Sequence, residues 1–152
     1  MYRKSKPDDS RAIYDLICEM ECKELPFDRF SEIYTMQAND DHYYCLVCEH
    51  EEKVIGVLNI RFEEQLHHAA LVAEIMEFAV DPHYRGHGIG KEMLETACRL
   101  SAELGCTQIE AACNQLRENT HRFYLREGMH NFHFKFSKPL TRSETWENEI
   151  GK

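Results

Sequence analysis

A mixed α/β sheet of six to seven strands, with helices on both faces, is the fold class predicted by this chain of 152 residues. Three observations predict it. Two alternating segments, Tyr43 to Glu49 and Val54 to Phe62, are joined by the polar run His50-Glu51-Glu52-Lys53, which reads as a β-hairpin. A mostly apolar segment with β-branched residues, Val72 to Val80, ends at Asp81-Pro82; a glycine-rich turn and a long amphipathic stretch from Lys91 to Leu104 follow. Strand and helix patterns then alternate as far as Lys138, which lays helices over a sheet with right-handed crossovers.

Tyr2 to Lys4 is a short first strand. Asp8 or Asp9 caps a helix running to about Cys22, with Ile13, Leu16, Ile17 and Met20 on its apolar face. A second helix, Asp28 to about Ala38, carries Phe30, Ile33, Tyr34 and Gln37 on one side. Gly56, inside the second hairpin strand, marks a bulge or a close backbone approach. Glu63 to Ala70 is a polar connection. In the helix from Lys91, Met93, Leu94, Ala97, Cys98 and Leu104 point inward, and Gly105 ends it. Gln108 to Cys113 is the next strand, Glu118 to Glu127 a helix stopped by Gly128, and Asn131 to Lys138 the last strand. A single domain of residues 1–140 is then followed by a polar, unfolded tail over residues 141–152.

A hydrophobic fraction of 43% with 30% charged residues is that of an ordinary soluble globule. No uncharged stretch approaches a bilayer span, and MYRKSKPDDS has no apolar region behind its charges, so the chain reads as cytoplasmic, without a membrane partner. A net charge of −9 argues against nucleic acid, which needs a basic face, and favours small cationic substrates. An anionic cofactor then needs a local exception, such as Arg85. The seven cysteines are odd in number, and Cys18 and Cys22 lie one helical turn apart. Cys45 and Cys48 fall in a strand, where residues three apart face opposite sides. Free, mostly buried thiols of a reducing compartment account for this spacing better than disulfides or zinc. The oligomeric state is left open, a homodimer included.

Between the apolar strand and the helix from Lys91 stand Arg85-Gly86-His87-Gly88-Ile89-Gly90. Amides at a helix N-terminus lack intrahelical partners and lie at the positive end of the helix dipole, and glycine lets an anion approach them. The spacing is neither that of a dinucleotide-binding G-x-G-x-x-G nor that of a P-loop, which needs Lys-Ser/Thr after it. Arg85, Gly88 and Gly90 instead fit Arg/Gln-x-x-Gly-x-Gly/Ala, and here the chain resembles the GNAT superfamily of N-acetyltransferases. The resemblance implies acetyl-CoA as cosubstrate, held by Phe78, Ala79 and Val80 and then by Arg85, Gly86, His87, Gly88, Ile89, Gly90 and Lys91. It also implies a sheet splayed open between its fourth and fifth strands, with the first two helices as a lip over the cleft.

Amine acetylation needs a deprotonated amine, an activated thioester carbonyl and a proton for the departing thiolate. Glu74 lies in a strand that otherwise reads as buried, and an unpaired carboxylate there would have its pKa raised and suit a general base; the alternative is a salt-bridged edge carboxylate. Its place, six residues before Val80, resembles that of the base in GNAT-type histone acetyltransferases. Glu77 is the competing carboxylate; strand alternation puts it on the opposite face from Glu74. The run His121-Arg122-Phe123-Tyr124-Leu125-Arg126-Glu127-Gly128 resembles the superfamily's closing helix, which implies Tyr124 as the acid beside the CoA sulfur. The asparagine usual seven residues before that tyrosine is Arg117 here, leaving Asn114 or Asn119 for contact with the pantetheine.

His67 and His68 adjoin the base strand. Adjacent histidines usually diverge, which makes them surface-loop residues; the alternative has one of them, with a carboxylate, position substrate or hold a divalent metal ion. Leu66-His67-His68, Glu74-Ile75, the run from His121 to Gly128, His133-Phe134-x-Phe136-x-Lys138-x-Leu140 and the first-helix run Ile13 to Glu19 resemble the bacterial aminoalkylphosphonate N-acetyltransferases. That resemblance spans about Asp8 to Leu140. It implies a small primary amine bearing a phosphonate, with His67, His68, Glu77 or Arg122 as substrate contacts. The alternatives are a polyamine, aminoglycoside or other cationic amine as acceptor, or a non-catalytic acetyl-CoA sensor.

Overall fold

In the computed structural model, which describes residues 1–141, five strands form one sheet in the order β1-β2-β3-β4-β5. They are β1 Tyr2–Lys4, β2 Tyr43–His50, β3 Lys53–Gln65, β4 Ala70–Val80 and β5 Ile109–Ala111. Neighbours pair antiparallel except β4 and β5, which are parallel, so the sheet is mixed. The described helices are α1 Ser10–Glu21, α2 Phe27–Ala38, α3 Ile89–Glu103 and α4 Glu118–Arg126. The chain divides into two compact units, Met1–Ala112 with the sheet and α1 to α3, and a second from Cys113 onward that holds α4.

Alternation along the strands sorts the core of the first unit onto the two faces of the sheet. On one face α1 lays Ile13, Leu16 and Ile17 against Val47, Val54, Val57 and Ala79. Tyr14 meets Phe27 and Phe30 edge-on, at 5.0 and 5.3 Å between ring centroids, which ties α1 to α2. On the other face lies α3, with Met93, Leu94 and Ala97 buried. A Cβ at Gly56 would stand 2.8 Å from the Met93 sulfur and 3.4 Å from the Cys48 Cβ, so the glycine permits a close helix-to-strand approach. The pairing also shifts beside it, from Cys48 with Gly56 to Glu49 with Val54, so Ile55 is an extra residue in a bulge.

Arg3 holds the start of the chain down. Its guanidinium bonds both oxygens of Asp9, at 2.7 and 3.0 Å, and Glu49 at 3.1 Å. Burial alone would raise the Asp9 pKa, but Arg3 and the Lys6 amide outweigh it and keep the carboxyl below its ordinary value.

Several expectations are corrected. Among the described residues the sheet has five strands rather than six to seven. Residues 131–139 form no strand, and Phe132, Phe134 and Phe136 stay exposed. Alternation marks which residues could share a face, but a strand also needs a ladder partner, which alternation does not supply. Cys98 is exposed, because the buried stripe of α3 runs through Met93, Leu94, Ala97 and Ser101; Leu104, just past the helix end, is exposed as well. All seven cysteines are free, but Cys48 alone is fully buried; Cys22 and Cys98 are exposed and the rest half-buried. Of the expected polar tail, residues 142–152 lie outside the described residues. No helix among the described residues is long and apolar enough to cross a membrane.

Leu58 is fully enclosed on the α3 face of the sheet. Leu58→Ala is expected to cost about 2–5 kcal/mol, measured as a lower urea midpoint with an unchanged slope.

Candidate active site

Opposite Asn59 on β3 stands Glu77 of β4, yet the next pair is Ile60 with Ile75, so Met76 is one residue too many on β4. The bulge reverses the alternation of β4 on one side of it relative to the other. Glu77 pairs with Asn59, and Glu74 with Arg61. Since Asn59 and Arg61 are two apart on one strand, both carboxylates face the same side of the sheet, the side covered by α1 and α2. The expected opposite facing of Glu74 and Glu77 is therefore overturned by one inserted residue.

Asn59 on β3 stands between Cys45 of β2 and Glu77 of β4, its two cross-strand partners, and the three form a row across the sheet. All three line a cavity of about 640 Å³ under α1 and α2, with Ile13, Ile17, Phe30, Tyr34 and Gln37 among its other walls. Asn59 Nδ2 donates to Glu77 Oε2 at 2.8 Å and to Gln37 Oε1 at 3.0 Å. Burial raises the Glu77 pKa above the usual carboxylate range, against the lowering effect of the Asn59 bond. Burial also pushes the Cys45 thiol up to about 11, so it stays neutral at physiological pH.

Glu74 does not line this cavity. Arg61 Nη2 bonds its Oε2 at 2.7 Å, so the carboxylate is ion-paired rather than unpaired as expected. Arg61 Nε is buried without a partner.

At the end of β4, Asp81 accepts from the His83 amide at 2.9 Å, fixing the turn into Arg85-Gly86-His87-Gly88. Gly86 and Gly88 adopt φ of 82° and 80°, left-handed conformations that glycine takes without strain. A Cβ at either would meet nothing within 4 Å, so the loop faces open space. No side chain caps α3, and the amides of Ile89, Gly90 and Lys91 have no acceptor among the described residues. Bare amides at a helix start, beside open space, suit the pyrophosphate of the expected cosubstrate. Arg85 donates to the Val80 carbonyl at 3.1 Å and to Glu19 at 3.2 Å. Phe78, Ala79 and Val80 are the last residues of β4.

In the second unit, the Asn114 carbonyl accepts from His121 Nε2 at 2.7 Å, and Asn114 Oδ1 accepts from the Leu116 amide at 2.9 Å. Arg122, in α4, bonds Asn119. Tyr124, also in α4, is half-buried, and burial pushes its phenol up to about 12, so it holds its proton throughout the neutral range.

His67 and His68 sit in the exposed turn between β3 and β4, their rings 4.2 Å apart, with His68 Nδ1 against Gln65 at 2.6 Å. Six residues of β3 separate Asn59 from that turn, about 20 Å of strand. The structure thus does not bring these histidines to Glu77. Among the described residues no group of three or more His, Cys, Asp or Glu could hold a metal ion, and two rings on one turn do not make a resident metal site.

The Acetyltransferase (GNAT) family profile matches residues 10–129. The chain belongs to this family. It is 33% identical over 138 residues to the aminoalkylphosphonate N-acetyltransferase of Salmonella typhimurium, covering 91% of this chain and 90% of that one. Its fold is shared by a transcriptional regulator from Bacillus halodurans, with a TM-score of 0.86 at 19% identity over 92% of this chain and 99% of that one. An aminoglycoside N-acetyltransferase in complex with CoA superposes with a TM-score of 0.83 at 13% identity, over 93% and 95% of the two chains. As a GNAT member the chain is an acetyl-CoA-dependent N-acetyltransferase.

The acetyltransferase's cavity floor includes residues that pattern reading passed over, Cys45 and Asn59 above all. A signal for Asn59 was present, since it is the one polar residue in the run Val54 to Ile60.

Because the Glu77 pKa is raised on folding, the stability it contributes is present below the unfolded-state value, about 4.3, and is lost as pH rises through the folded value. Glu77→Gln is accordingly expected to raise the thermal midpoint at pH about 7, with the difference shrinking below about 4; melting curves at both pH values check it.

Proposed function

We propose that this acetyltransferase acetylates a small primary amine carrying a phosphonate, by direct attack on acetyl-CoA in a ternary complex. The substrate class is supported by the named activity of the Salmonella typhimurium relative. The mechanism is carried by one observation, a carboxylate with a burial-raised pKa on the floor of a cavity in the same unit as the glycine loop. Residues 10–129 match one family profile across both compact units, which supports reading residues 1–140 as one acetyltransferase domain.

In this reading Glu77 takes a proton from the ammonium, and the freed lone pair attacks the thioester carbonyl. The bare amides from Gly86 to Lys91, with Arg85, hold the pyrophosphate. When bound, acetyl-CoA supplies the activated acetyl group and a thiolate leaving group. Resemblance of its helix assigns Tyr124 to the departing sulfur. A phenol near pKa 12 is a weaker acid than an ordinary thiol, about 8.5, so it stabilises the thiolate by hydrogen bonding more than by complete proton transfer. Lys6 lines the same cavity as Glu77 and offers positive charge for a phosphonate; Arg122 is the candidate from the second unit. A second reading makes Glu74 the base through a water molecule, favoured by its place six residues before Val80.

The two carboxylates are separated by rate measurements. Glu77→Gln is expected to lower kcat/KM for the amine about a hundredfold or more and to remove the rise of rate with pH, while acetyl-CoA binding is kept. Glu74→Gln should cost less; the reverse order would move the base to Glu74. Tyr124→Phe should lower kcat without weakening acetyl-CoA binding, and an unchanged kcat would remove the phenol from the reaction.

An acetyl-CoA-consumption assay with aminomethylphosphonate and with ethylamine tests the substrate class. Faster turnover of the phosphonate is expected, and equal rates would favour the cationic-amine reading. Chelator should leave ethylamine turnover unchanged; a loss confined to the phosphonate would place a divalent ion on the substrate's own oxygens.

A further inference from the structure

Asn59 carries one polar atom that the fold leaves unused. Its Nδ2 donates both hydrogens, to Gln37 and to Glu77, while Oδ1 has no partner. The Glu77 carboxylate beside Nδ2, which accepts on both oxygens when ionised, favours this orientation of the amide. Asn59 is only 8% exposed, so solvent does not take up the orphaned acceptor. A buried acceptor without a donor is costly, and the residue that carries it stands beside a carboxylate among the residues lining the cavity.

We propose that Asn59 is the residue that positions the acceptor amine, with Oδ1 accepting one N–H while Glu77 receives the proton that must leave. The proposal rests on the reading of Glu77 as base. An ammonium brings three hydrogens. One passes to Glu77, one is donated to Asn59, and the freed lone pair forms the C–N bond with the thioester carbonyl carbon. As the C–S bond breaks, the third proton leaves nitrogen and CoA departs as the thiol, so the products are the amide, the thiol and protonated Glu77. The nitrogen keeps the hydrogen that faces Asn59.

This arrangement also discriminates. An alcohol has one hydrogen and cannot satisfy Asn59 and Glu77 together, and a site with a buried polar group left unpaired rejects such an analogue strongly. Access is inexpensive, since Gln37 reaches this row from α2, a helix with none of its residues fully buried. Entry of an amine therefore displaces few packed contacts.

Asn59→Leu removes the acceptor while keeping the side chain's bulk. The KM for ethylamine and for aminomethylphosphonate is expected to rise about ten- to a hundredfold, with the acetyl-CoA Kd unchanged. Loss of structure alone would weaken both ligands together. An unchanged amine KM overturns the proposal, and so does a matching loss of acetyl-CoA affinity. A second measurement uses the native chain: the side-chain amide resonances of Asn59, followed by NMR during titration with ethylamine, should shift, and fixed resonances overturn the proposal even if the variant fails to fold. Glu77→Gln separates the two claims. Retained turnover there with a raised amine KM in Asn59→Leu removes Glu77 as base and keeps the amine seat; lost turnover with an unchanged amine KM does the opposite.

Discussion

One inserted residue, Met76, determines which side chains meet under α1 and α2. Strand alternation has a period of two, so an extra residue in mid-strand reverses the facing of everything beyond it. The apolar residues tolerate this because the sheet is covered on both faces: Ala79 packs toward α1, and Ile75, on the other side of the bulge, is buried opposite Ile60. The polar residues are changed far more. Without the bulge, Glu74 would face α3; with it, two carboxylates stand on one face, each opposite a different β3 partner.

Those partners give the carboxylates different characters. Glu74 has a guanidinium at 2.7 Å and is partly open to solvent, so its carboxylate is tied to β3 by an ion pair. Glu77 has only an amide donor and stands in an enclosed cavity, where its charge is poorly solvated. Two carboxyl groups on one strand and one face thereby stand in different surroundings, one against a guanidinium and one against an amide in a cavity. The free amides at the start of α3 carry no titratable charge, so their polarity does not depend on the chain's acidic balance of −9.

Features dictated by local chemistry were legible in the sequence. The hairpin turn at Glu51-Glu52, the strand closed by Asp81-Pro82, the glycine loop and the helix after it all follow from short-range preferences, and they lie where pattern reading put them. Gly56 likewise announced both a bulge and a tight contact. What depended on pairing was not legible. The Met76 bulge leaves no mark in composition, so Glu74 was placed on the face opposite Glu77, and nothing in the pattern named Arg61 as its partner. The alternating phenylalanines of residues 132–136 looked like a strand for the same reason, since a pattern can be complete without a partner to bond. His67 and His68 are close to Glu74 along the chain, but an extended hairpin carries them away from the cavity in space.

The contact of Met93 with Gly56 fixes a length. Met93 lies four residues into α3, about 6 Å from the helix start at the glycine loop, and Asn59 lies three residues beyond Gly56, about 10 Å along β3. The Met93 thioether lies against the bare backbone of Gly56, so α3 packs close to β3 there, and the loop and the cavity floor belong to one compact unit. Their separation follows from this packing rather than from the loop's own conformation. Within this unit, a side chain added at Gly56 would first meet the flexible end of Met93, so that thioether sets how closely helix and strand approach.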